Sequence, residues 1–83
     1  MTKDGTTIKL NKPITVSGAK VTALVMREPT VADQLAMDKM EGTDGEKELA
    51  YFASLCMQAP SDLHQLTIKD YKQLQEAFKA FVV

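Results

Sequence analysis

At 83 residues the chain has length for one small domain, which buries only about 60–65% of the surface its unfolded form exposes. A hydrophobic share of 45% with 25% charged residues excludes disorder, collagen-like repeats and low complexity. Ten basic residues against eleven acidic ones give a net charge of −1, and the lysines are scattered among acids, which weighs against direct nucleic-acid binding.

The single cysteine cannot close an intramolecular disulfide, so a stapled secreted mini-protein is excluded. Met1-Thr2-Lys3-Asp4-Gly5 has no apolar stretch for a signal peptide. Nothing approaches the ~18 consecutive apolar residues that a membrane span requires. The expectation is a cytoplasmic protein with no membrane contact, its residues 1–5 flexible.

Ile8, Leu10, Ile14 and Val16 share even parity, with polar residues between them, and predict a strand with one buried face. Pro13 makes that strand an edge or places a bulge in it. Ser17-Gly18 predicts a tight turn, because Gly18 adopts positive φ without steric cost. The second strand, about 20–27, begins alternating and then runs through Ala23-Leu24-Val25-Met26, a pattern of burial on both faces or of one face meeting a partner. Two strands alone are marginal in water, so this hairpin must pack on helices.

Pro29 ends the strand, and Thr30-x-x-Asp33 marks a helix start. The first helix is predicted over 31–40, with Val31, Ala32, Leu35 and Ala36 as its apolar stripe. Glu41-Gly42-Thr43-Asp44-Gly45 forms the following loop. A second helix is predicted over 46–58, with Leu49, Phe52, Ala53, Cys56 and Met57 on one face, broken by Ala59-Pro60. Residues 61–66 form one short turn. Thr67-x-x-Asp70 then repeats the helix-start pattern, and Tyr71, Leu74, Phe78 and Phe81 make the cleanest amphipathic stripe of the chain. The order is β-β-α-α-α: an α+β fold, a hairpin followed by three main helices in one domain spanning 1–83.

No constellation of reactive residues accompanies this order, and neither catalytic residues nor cofactor or metal ligands are expected. Cys56 falls on an apolar stripe and reads as a small hydrophobe. His64 stands alone, without the further ligands that zinc requires. Asp44, Glu46 and Glu48 open a helix, where the dipole favours negative charge. Ser54 and Ser61 lack a nucleophile-elbow context.

The methionines and a few apolar residues off the stripes suggest protein contact instead. At 100° per residue, Met37 falls away from Val31 and Leu35, Tyr51 falls opposite the second helix's stripe, and Leu55 lies at its margin. With Met26 of the continuous strand run, these are the candidate partner-binding residues, since methionine suits adaptable surfaces.

The residues also carry a family resemblance. It runs from Ile8-Lys9-Leu10 and Pro13-Ile14-Thr15-Val16 through Gly18 and Val21-Thr22-Ala23-Leu24 to Arg27-Glu28-Pro29-Thr30-Val31-Ala32-Asp33. It continues in Glu48-Leu49-Ala50, Pro60-Ser61-Asp62-Leu63-x-x-Leu66, Asp70-Tyr71-x-x-Leu74-Gln75 and Phe81. In order and spacing the chain resembles the small tail assembly chaperones of Mu-like and related contractile-tailed bacteriophages and prophages. It departs at Ser17, where an acidic residue often precedes the glycine, and at Cys56-Met57, where small or turn-forming residues often precede the proline.

The resemblance implies a non-catalytic chaperone that coats the tape measure protein before tail tube subunits polymerise around it. It further implies action in the cytoplasm of the bacterial host, absence from the finished virion, and in many phages a longer, frameshifted form of the same protein. A homo-oligomer is expected from the open strand edges. The competing readings are a structural tail or baseplate component retained in the virion and a small regulatory module that binds protein or DNA.

Overall fold

The computed structural model describes residues 5–82. Strands β1 (Gly5–Val16) and β2 (Ala19–Arg27) form a two-stranded antiparallel sheet. Helices α1 (Val31–Asp38), α2 (Asp44–Leu55), α3 (Pro60–Leu63) and α4 (Ile68–Val82) follow, which is the expected α+β order. Gly5 already belongs to β1; the rest of the segment expected to be flexible lies outside the described residues.

Ser17 and Gly18 join the strands with positive φ at both positions, 52° and 82°. That is the hairpin turn whose twist matches a two-stranded ribbon. The register then shifts: Ile14 faces Val21, but Lys9 faces Ala23, so residues 10–13 of β1 lie across from Thr22 alone. This is the irregularity that Pro13 predicted. Ile8, Leu10 and Ile14 keep their buried face across it. On β2 the inward positions step from Val21 to Leu24 and Met26, three residues rather than two, because parity flips beside the bulge. The apolar run 23–26 is therefore not buried on both faces: Leu24 and Met26 enter the core while Ala23 and Val25 stay exposed.

A buried acid holds the bulge. Asp70, in the first turn of α4, is fully buried. Its carboxylate accepts the Asn11 N–H at 2.9 Å and the Lys12 N–H at 3.0 Å, together with side-chain N–H bonds from Asn11 at 3.0 Å and Gln73 at 2.9 Å. Burial pushes this carboxyl up, and the four donors outweigh it, holding the group below the usual aspartate value. Gln73 also donates to the Lys9 carbonyl at 3.0 Å. Gln65, between α3 and α4, meets Thr15 as a strand would, accepting its N–H at 3.0 Å and donating to its carbonyl at 2.7 Å. From Lys9 to Thr15 the outer edge of β1 is thus occupied by side chains of α4 and by Gln65.

Helix α2 is the central helix, packed against α1, α3 and β2. Tyr51, Phe52, Ala53, Leu55 and Cys56 are all buried and only Ser54 between them is exposed, so its C-terminal end is covered on more sides than the single-face helix expected. Phe52 and Tyr51 each meet Phe78 of α4 with ring centroids 5.4 Å apart, and Phe52 meets Tyr71 at 5.7 Å. The predicted α4 stripe does face the core: Leu74 is fully buried, with Tyr71, Phe78 and Phe81 packed around it.

The ends of α2 differ from expectation. It starts at Asp44 rather than Glu46 because Thr43 caps it, accepting the Glu46 N–H at 3.1 Å while Glu46 accepts the Thr43 N–H at 2.9 Å. At the other end the Gln58 N–H donates to the Ala53 carbonyl at 2.8 Å and the Met57 N–H to the Ser54 carbonyl at 3.1 Å, a Schellman closure. Met57 occupies the left-handed position at φ 58° and is exposed, instead of joining the apolar stripe. Glycine is the unstrained residue there, so Met57→Gly should raise stability by about 1 kcal/mol. Urea unfolding is the measurement; an unchanged or lower midpoint would show that Met57 makes a contact outweighing its strain.

Candidate interaction surface

The strand-to-helix joint sets what the surface offers. Arg27, the last residue of β2, grips Asp33 through two parallel bonds, Nη1 to Oδ2 at 2.7 Å and Nη2 to Oδ1 at 2.8 Å. The same carboxylate accepts the Thr30 N–H at 2.8 Å, and the Thr30 hydroxyl accepts the Asp33 N–H at 3.3 Å, closing a capping box. Arg27 holds the Asp33 carboxyl well below the usual carboxylate range. Two planar groups locked edge to edge leave α1 little freedom to roll about its axis.

That roll reverses the expected orientation of α1. Asp33 faces the protein, and Met37, one turn later, packs against the core on the same side. Val31 and Leu35 are therefore turned outward, 76% and 55% exposed, with Ala32 and Ala36 exposed beside them. No residue of α1 is fully buried. The apolar stripe expected to be core is an exposed helical face.

The partner-binding candidates chosen from sequence change places with it. Met26 and Leu55 have no exposed surface and Tyr51 has 5%; all three are core. Met37 is half-buried and is the residue by which α1 reaches the core. Tyr51 and Leu55 lie off the stripe of their own helix, but α1 and α4 cover the faces of α2 that one-face periodicity assigns to solvent. Met26 alternates inward on β2. These four residues form no exposed patch.

A second apolar surface is an open groove of about 250 Å³ where α2, α3 and the start of α4 meet. Leu49, Leu63, Leu66 and Tyr71 line it, and Ile68, 74% exposed, stands at its lip. Glu48 marks its polar end, accepting from the Tyr71 hydroxyl at 2.7 Å and the Gln75 amide at 3.2 Å. Burial and Glu48 push the Tyr71 hydroxyl far up, so it stays a donor.

Chemistry-bearing side chains are dispersed. Among the described residues no group of three or more His, Cys, Asp or Glu could hold a metal ion. Cys56 is buried and its thiol is pushed up to about 11 by burial, which keeps it protonated at neutral pH. His64 is exposed. Among the described residues no helix is long and apolar enough to cross a membrane.

An outward apolar helix face and a separate apolar groove are what a domain that works through contact with other proteins presents. The chain belongs to the phage tail assembly chaperones: residues 7–83 match the family described as "Phage tail assembly chaperone proteins, E, or 41 or 14". Neither the curated proteins nor the solved structures contain a match. Membership brings protein partners in tail assembly, as the resemblance implied.

Proposed function

We propose that this chaperone binds amphipathic helical segments of the tape measure protein in the host cytoplasm, through the outward face of α1, and leaves before the virion is complete. The observation that carries the reading is the roll of α1. A bidentate ion pair fixes Val31 and Leu35 toward solvent, where nothing in the described residues covers them. Two aliphatic side chains one turn apart, with small alanines beside them, give a partner helix a ridge to pack against. So small a face supports weak binding per copy, and many copies along one long client would supply coverage. Tail tube subunits and a longer frameshifted form of the chain are further partners that this reading admits.

A Val31→Asp, Leu35→Asp double variant should fold as the wild type does, because both side chains are exposed and substitutions at such sites are usually within about ±0.5 kcal/mol. Co-expressed with the tape measure protein, it should leave the client largely in the insoluble fraction while the wild type keeps it soluble. Equal client solubility with both would remove α1 from the reading.

A further inference from the structure

The two edges of the sheet are treated differently. On β1, core-facing residues bond toward β2 and outward-facing ones direct N–H and C=O to the free edge, as Thr15 and Lys9 show by pairing with Gln65 and Gln73. Their β2 partners are Lys20 and Ala23. In an antiparallel pair both members of such a position point away from each other. Lys20 and Ala23 therefore direct their backbone groups away from β1, and Val25, two residues on, does the same. Among the described residues nothing outside β1 bonds to the main chain of β2. The edge of β1 is filled over Lys9 to Thr15, and that of β2 is open.

We propose that the open edge of β2 pairs with β2 of a second copy, antiparallel about a twofold axis, making one four-stranded sheet of order β1-β2-β2-β1. Self-pairing suits this strand for three reasons. A twofold sets each outward N–H opposite an outward C=O of identical sequence. Residues 21–26 carry no charge, so no like charges meet at the centre. Placing Ala23 of one copy opposite Val25 of the other keeps outward positions paired and brings Lys20 toward Glu28 of the second copy, twice by symmetry. Arg27, the remaining charge at the strand end, is already neutralised by Asp33. Two usual protections of an exposed edge are missing from the middle of this strand: residues 21–26 carry neither proline nor lysine, and Lys20 stands at the turn end. This pairing stands independently of which client the chaperone holds.

Val25→Pro is the test, because proline removes one outward N–H and none of the bonds to β1. In sedimentation velocity the wild type should show a dimer that grows with concentration, and Val25→Pro should lose it while keeping the wild-type far-ultraviolet circular dichroism. A Val25→Pro protein that still dimerises like wild type would overturn the proposal. Amide hydrogen exchange on the unmodified protein decides the matter even if that variant fails to fold. The Ala23 and Val25 amides should exchange more slowly as concentration rises, with Leu24 and Met26 slow throughout. Exchange at Ala23 and Val25 that is fast at every concentration, or slowed only by an added client, would equally overturn it.

Discussion

Asp70→Ala should lower the melting temperature by more than about 12 °C. The substitution strips the acceptor from two backbone N–H groups in the β1 bulge and from the Asn11 and Gln73 side chains. These bonds are part-buried, and a hydrogen bond to a charged group contributes about 1.5–3 kcal/mol, so the loss of the set supports a total of about 3 kcal/mol. For a domain of this size each kcal/mol moves the midpoint by about 4–8 °C, and the whole stability is roughly 4–12 kcal/mol. Asp70→Asn should lose less, since one oxygen remains to accept. The wild type should also weaken in acid. Asp70 and Asp33 both sit below their unfolded value of about 3.9. The native state therefore binds fewer protons than the unfolded one, and the stability these groups contribute is complete above that pH and drains away as pH falls through their native values. Urea midpoints measured from pH 7 to pH 2 would show it; a flat profile, or a midpoint unmoved by Asp70→Ala, would mean the bulge is held some other way.

Phe52→Ala should cost about 3–5 kcal/mol, the range for emptying a buried aromatic site. Phe52 is 1% exposed and its ring meets Tyr71 and Phe78 of α4 and Tyr51 of its own helix. Losing it opens the contact between the central helix and the helix that clamps the bulge. The loss is a large share of the domain's stability, so the near-ultraviolet circular dichroism of the variant at 37 °C should be strongly reduced. Phe78→Ala, at a half-exposed position, should cost less. A Phe52→Ala protein with a native spectrum and a midpoint within a few degrees of wild type would show that α2 and α4 are joined elsewhere.

Local pattern carried most of the fold. Even parity from Ile8 to Val16, the Ser17-Gly18 turn and the Thr-x-x-Asp starts are one-dimensional signals, and Pro13 marked the bulge. The candidate site was legible only in the negative, because what decides it is contact between distant residues. Val31 and Leu35 read as core since periodicity assigns the apolar side inward, whereas the Arg27–Asp33 pair turns it outward. Asp33 and Asp70 were both visible at helix starts, but Asp33 divides its carboxylate between the Thr30 N–H and Arg27, whereas Asp70 meets the Thr67 hydroxyl only through its N–H and gives its carboxylate to Asn11, Lys12 and Gln73. Nothing near Asp70 in sequence announces Asn11 and Lys12. Tyr51 and Leu55 misled for a related reason: a helix covered on several sides has no polar face for 100° spacing to find.

The most direct test of client binding through α1 is a methyl-resolved nuclear magnetic resonance titration of the chain with a soluble helical fragment of the tape measure protein. The Val31 and Leu35 methyl signals should shift progressively and saturably, while those of the buried Leu24 and Leu74 stay in place. Saturable shifts at Leu66 and Ile68 in the groove, with Val31 and Leu35 unmoved, would contradict it.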